Sequence, residues 1–248
     1  MGDSVFKHIK KVDINYLDYG TGENTIVLLH GWGQNIEMMK PVGDKLQKNN
    51  RIIIVDLPGF GNSMEPEEIW TIFDYADAIK ELLKKLKVED PILIGHSFGG
   101  KISLAYASRY DVKKLILFGS PYKKEITKVT FKAKFLKVLK KIPILKNFEE
   151  FAKKRIGSRD YKNASPLMRK ILVSHVNLDL TEDVKKIKCP TLLVWGTMDT
   201  EVPIEQAYEL EGLIKDAGVI PYEGCTHYAY LERLPQTVRV IKNFIGDE

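Results

Sequence analysis

Apolar residues fall along this chain in short unbroken runs, separated by segments in which they recur every three or four positions. The runs TIVLLHG (25–31), RIIIVDLPG (51–59), PILIGHS (91–97), KLILFGS (114–120) and PTLLVWG (190–196) are rich in aliphatic and β-branched residues, and each ends at glycine or serine. Runs without polar alternation are the pattern of strands buried on both faces. Between them, TIFDYADAIKELLKKLK (71–87) and FGGKISLAYASRY (98–110) carry apolar residues at helical spacing. Strand–helix–strand alternation predicts an α/β fold, a mostly parallel sheet with helices on both sides. The start differs: FKHIKKVDINYLDYG (6–20) alternates and predicts an antiparallel hairpin at one edge.

The rhythm breaks after Pro121. From 122 to 190 no buried-strand run occurs, and the stretch reads as helical. Within it, VTFKAKFLKVLKKI (129–142) puts Phe131, Phe135, Leu139 and Ile142 on one face, with Lys132, Lys134, Lys137 and Lys140 elsewhere. In an otherwise short-looped α/β chain this is an insertion, and long insertions commonly cover or build a binding site.

Composition narrows the class. A chain of 248 residues with 44% hydrophobic and 29% charged residues is that of a soluble globular protein. The net charge of +5 is uneven, because lysine and arginine greatly outnumber acids between Tyr122 and Lys162. No recognition motif for nucleic acid accompanies that charge, so nucleic acid is not an expected partner. The basic insertion either packs its apolar stripe over a cleft, lysines in water, or makes a weak contact with an anionic membrane. Cys189 and Cys225 form neither a zinc spacing nor a disulfide framework, which fits a reducing compartment. MGDSVFKHIKKV has no apolar core of signal-peptide length. No run approaches the roughly 20 apolar residues of a membrane helix. A cytoplasmic protein is expected.

The candidate chemistry centres on Gly95-His96-Ser97-Phe98-Gly99, a G-x-S-x-G pattern between a predicted strand and a predicted helix. A sharp turn there would lift the Ser97 hydroxyl clear of the sheet at a helix N-terminus, where negative charge is favoured. A serine hydroxyl needs a base, and the base an orienting carboxylate. Of His8, His30, His96, His175 and His227, the last lies in PYEGCTHYAYLERLP, where ligands meet strand ends in an open α/β sheet. His96 adjoins the serine and should point away from it; His175 falls in the insertion; His30 reads as a structural member of its loop. Asp199 follows PTLLVWG in a turn and is the candidate acid, with Glu201 and Asp179 as weaker substitutes. The order Ser97, Asp199, His227 is that of one class of triad. Oxyanion donors would be the backbone N–H groups of Phe98 and of Trp32, in the turn His30-Gly31-Trp32-Gly33. The side chains of Trp32 and Phe98 are the candidate pocket residues. Asp56, in DLPGFGNS, reads as structural.

Taken together, the HGWG loop, DLPGFGNS, GHSFGG, GTMDTEVP and the GCTH loop followed by LERLP resemble the cap-bearing branch of the α/β-hydrolase superfamily, over nearly the whole chain. The resemblance implies an eight-stranded sheet with one antiparallel strand. It also implies a core of residues 1–120 and 179–248, with a helical cap, 121–178, inserted after the sixth strand. It implies a Ser97-Asp199-His227 hydrolase that needs no metal or organic cofactor. Dehalogenases and epoxide hydrolases on this fold use an aspartate nucleophile, and Ser97 argues against both. Cys225-Thr226-His227 departs from relatives with glycine before the histidine. The expected activity is hydrolysis of a carboxylic ester of a small or medium acyl substrate. A carbon–carbon bond hydrolase of dienoate type, a thioesterase and a ligand-binding sensor are the alternatives.

Overall fold

A computed structural model of the chain describes residues 12–124 and 164–247. Its strands are β1 (Tyr16–Tyr19), β2 (Asn24–Leu29), β3 (Asn50–Val55), β4 (Ile92–His96), β5 (Lys114–Phe118), β6 (Thr191–Gly196) and β7 (Ala217–Tyr222). Among the described residues they form one seven-stranded sheet in the order β1-β3-β2-β4-β5-β6-β7. β1 runs antiparallel to β3, and every other pairing is parallel. The expected total of eight strands includes the first arm of the N-terminal hairpin, whose residues 6–11 lie outside the described ones.

Each central strand sends alternate residues into two cores. Val27, Leu29, Ile53, Val55, Leu93, Leu115, Leu117, Leu193 and Trp195 face one side. Ile26, Leu28, Ile52, Ile54, Ile92, Ile94, Ile116, Phe118, Leu192 and Val194 face the other. Helices α2 (Ile72–Lys85), α3 (Phe98–Ala107) and α6 (Glu205–Leu213) cover the first. Helices α1 (Ile36–Leu46), α7 (Ala229–Glu232) and α8 (Leu234–Ile245) cover the second. Burial on both faces is why these strands read as continuous apolar runs. α2 starts at a capping box, Thr71 with Asp74, and α8 stops at Gly246 in the left-handed conformation.

The insertion follows β5. The lysine-rich stretch 129–142 and most of the expected cap lie outside the described residues. The chain re-enters through α4 (Pro166–Asn177) and the single turn α5 (Thr181–Val184). Tyr122 and Leu180 meet there, with Leu180 N–H donating to the Tyr122 carbonyl at 2.9 Å. Lys124 Nζ donates to Asn177 Oδ1 at 2.7 Å.

The strand order decides where a site can form. From β2 the chain moves outward to β3, then crosses back to β4 on the other side of β2. The loops after β2 and β4 therefore leave the sheet in opposite directions and open a crevice between them, at the carboxyl ends of neighbouring strands.

Candidate active site

Ser97 sits at that crevice, between β4 and α3, with φ 50° and ψ −112°. This is unfavourable backbone for a side-chain-bearing residue, worth about 1–3 kcal/mol of strain. The surroundings hold it there. Ser97 N–H donates to the Phe118 carbonyl at 2.9 Å, Lys101 N–H to the Ser97 carbonyl at 3.0 Å, and Gly99 N–H to the His30 carbonyl at 3.0 Å. A Cβ at Gly95 would run into the backbone of Gly99 and Gly100, and one at Gly99 into the backbone of Leu29 and His30. Within PILIGHSFGG only Ser97 is not fully buried.

Asp199 and His227 come together. The turn after β6 that carries Asp199 and the loop after β7 that carries His227 are joined by Met198 N–H, which donates to the Cys225 carbonyl at 2.9 Å. His227 Nδ1 lies 2.8 Å from Asp199 Oδ2, with both side chains almost wholly buried. The carboxylate can only accept, so the ring proton sits on Nδ1 and leaves Nε2 as the basic nitrogen. Asp199 Oδ1 accepts from the backbone N–H groups of Glu201 and Val202, each at 2.9 Å, which fixes the carboxylate plane. Glu201 Oε2 lies 3.6 Å from His227 Nε2 and its side chain is 61% exposed, so it does not displace Asp199. Asp179, the other substitute, instead accepts from the Thr181 N–H at 2.8 Å, just ahead of α5. Gly119 (φ 50°) separates Phe118, which holds Ser97, from the Asp199–His227 pair: a Cβ there would stand 3.0 Å from His227 Nδ1 and 3.1 Å from Asp199 Oδ2.

Other residues brace this arrangement. His96 turns away from the crevice, as its place beside Ser97 implies, and its Nε2 donates to the His227 carbonyl at 3.1 Å. Burial pushes its pKa down to about 3, so the ring is neutral. Glu232, in LERLP, accepts from the Thr226 N–H at 3.1 Å and from the Thr226 hydroxyl. That clasp gives the threonine before His227 its own role and holds the Glu232 carboxyl below the usual range. Gln34 joins the loop after β2 to the base loop, accepting from Gly31 N–H at 3.0 Å and donating to Tyr228 Oη at 3.2 Å.

The loop after β2 is built on His30 and Asp56. His30 Nε2 accepts from Leu57 N–H at 3.0 Å and Nδ1 donates to the Gly31 carbonyl at 2.7 Å. Both ring nitrogens are thus used structurally, and burial lowers the pKa to about 4. Asp56 accepts from Ile36 N–H at 2.8 Å, Asn62 N–H at 2.9 Å and Asn15 Nδ2 at 2.8 Å, tying three segments together.

Above the crevice, Trp32, Phe60, Phe98 and His175 pack as an aromatic cluster. Trp32 is half-buried, with centroids 4.8 Å from Phe60 and 5.1 Å from Phe98. Phe98 is fully buried. Two residues here carried no signal in the sequence. His175, on α4, stacks on Trp32 at 5.1 Å and lies 4.5 Å from Phe98. Lys101, on α3, is buried and donates to the carbonyls of His175 at 2.6 Å and Leu178 at 2.7 Å, satisfying the C-terminal end of α4. Burial lowers the Lys101 pKa to about 8.

Among the described residues no group of three or more His, Cys, Asp or Glu is placed to hold a metal ion. A groove of about 580 Å³ lined by Asp90, Arg109, Tyr110, Lys186 and Cys189 lies at the opposite, amino-terminal ends of the strands, away from Ser97. Among the described residues no helix is long and apolar enough to cross a membrane.

Comparison with known proteins agrees with this architecture. The profile of the alpha/beta hydrolase fold family matches residues 24–147. The AB hydrolase superfamily protein YisY of Bacillus subtilis is 31% identical, over 92% of this chain and 93% of its own length. A 2-hydroxy-6-oxo-2,4-heptadienoate hydrolase of Pseudomonas putida is 25% identical, over 96% of this chain and 94% of its own. The crystal structure of an esterase from Exiguobacterium antarcticum superposes with a TM-score of 0.74 at 25% identity, covering 95% of this chain and 96% of that one. With a sheet of this order and relatives matching along more than nine-tenths of its length, the chain belongs to the α/β-hydrolase family.

Proposed function

We propose that the protein is a serine hydrolase that cleaves a carboxylic ester of a small or medium acyl substrate through an acyl-enzyme. The observation that carries this reading is the buried Asp199–His227 pair, whose ring proton is committed to Asp199, beside the strained turn that presents Ser97. His227 Nε2 takes the Ser97 proton as Oγ attacks the acyl carbon. The oxyanion is held by the N–H groups of Trp32 and Phe98, neither of which has an acceptor among the described residues. The tetrahedral adduct collapses, the C–O bond to the leaving group breaks, and His227 returns its proton to the departing alcohol. Water, activated by the same nitrogen, then releases the acid. Asp199 keeps the tautomer and stabilises the imidazolium.

Hydrolysis of a p-nitrophenyl ester series from acetate to long chains, with Ser97→Ala as control, tests this. Ser97-dependent turnover with a chain-length optimum supports it, and activity retained by Ser97→Ala overturns it. The similarity to the dienoate hydrolase favours a second reading, carbon–carbon bond cleavage by the same residues. It is supported by silence across the ester series while a phosphonate probe still labels Ser97, together with loss of absorbance from a dienoate. Binding of either substrate without turnover would favour a sensor.

A further inference from the structure

The inward face of α4 is formed by Met168, Ile171 and His175, all buried. The first two are apolar, as a helix covering an apolar core requires. His175 is not. The residue is only 7% exposed, and neither ring nitrogen has a hydrogen-bond partner among the described residues. Burying an imidazole N–H and a lone pair unpaired is costly, and leucine at this position would avoid the cost. The ring is held inward by its packing on Trp32 and Phe98. His175 is therefore held with its polar atoms idle against Trp32 and Phe98, the two residues whose N–H groups face the reacting carbonyl in the reading above.

We propose that His175 is a specificity-determining residue of the acyl pocket, which hydrogen-bonds a hydroxyl or keto oxygen carried along the acyl chain. This rests on the serine-hydrolase reading. A ring with one N–H and one lone pair matches a hydroxyl with both and a ketone with the N–H. A carboxylate fits less well, because the neighbouring Lys101 ammonium is already engaged by two carbonyls and the ring itself is neutral, its pKa lowered to about 3 by burial and by Lys101. A plain alkyl chain leaves the imidazole unpaired. A site built to bond a substrate oxygen discriminates strongly against the analogue that lacks it.

The experiment compares p-nitrophenyl 4-oxopentanoate, 5-oxohexanoate and 3-hydroxybutyrate with the matching alkyl esters, each rate divided by that of alkaline hydrolysis. The readout is the oxygenated-to-alkyl ratio of kcat/KM. The expected wild-type ratio is about tenfold or more at one oxygen position. In His175→Leu it falls toward one, and His175→Gln restores part of it. The melting temperature of His175→Leu is expected to equal or exceed that of wild type, since an unpaired polar group has been removed. A wild-type ratio near one at every oxygen position, or a ratio unchanged in His175→Leu, overturns the proposal. An unchanged ratio with a lowered melting temperature makes His175 a packing residue. Absence of Ser97-dependent turnover of every ester overturns the underlying reading, a result distinct from turnover without discrimination.

Discussion

His96 Nε2 donates its proton to the backbone carbonyl of His227, so one histidine fixes the main chain of the other. The contact spans 131 residues of sequence and ties the strand before Ser97 to the loop carrying His227. His227 is thereby held from two directions, by Asp199 through its ring and by His96 through its backbone.

His96→Ala is expected to lower kcat on a simple alkyl ester by up to about 100-fold with little change in KM, because displacing a catalytic group by an ångström has effects of that order. His96→Asn, which keeps a donor, should recover part of the loss. Steady-state kinetics on both variants checks this, and an unchanged kcat in His96→Ala would remove the positioning role.

The two carboxylates near His227 should behave differently. Asp199→Asn cannot hold the ring tautomer and is expected to lose about 10⁴-fold in kcat. Glu201→Gln should stay within a few-fold of wild type, since an exposed ion pair contributes about 1 kcal/mol at most. Equal losses in the two variants would mean that Glu201 shares the work of the acid.

Lys101→Met should destabilise the protein. Two carbonyls at the end of α4 lose their donor, at about 1–3 kcal/mol for each buried group left unpaired. Urea denaturation gives the number directly. An unaltered midpoint would mean that the carbonyls find other partners.

Acid sensitivity follows from three buried histidines. Burial lowers the pKa of His30 to about 4, and those of His96 and His175 to about 3. Unfolded, each titrates near 6.5, so between these values the unfolded chain binds more protons than the folded one. The stability gained by keeping the rings neutral is full above pH 6.5 and is lost as pH falls toward 4. At about 1.4 kcal/mol per pKa unit the loss is a few kcal/mol for each ring. Unfolding free energies from pH 7.5 to pH 4 should show this decline, and His175→Leu should flatten it. A free energy independent of pH in this window would contradict the assignment.

Much of this was legible in the chain itself. β2 to β6 are buried on both faces, and such strands announce themselves as uninterrupted apolar runs. The Ser97 turn was visible because backbone crowding there admits only glycine on either side. β7 offered no such run: it is the edge strand, mostly half-buried, and carries Pro221, which an edge tolerates. Lys101 and His175 were opaque for a common reason. A lysine and a histidine on helices ordinarily face water, and only the docking of α4 on α3 buries them.

The meeting of Tyr122 with Leu180 has a consequence for the lineage of such chains. Departing and returning backbone are pinned side by side where they leave the sheet, and Ser97, Asp199 and His227 all lie outside the interval. Lengthening a loop between fixed ends costs only about 0.6 kcal/mol per doubling. Sequence within that interval can therefore lengthen or change at little cost while Ser97, Asp199 and His227 stay where the sheet sets them, provided that the grip of Lys101 on the end of α4 is kept.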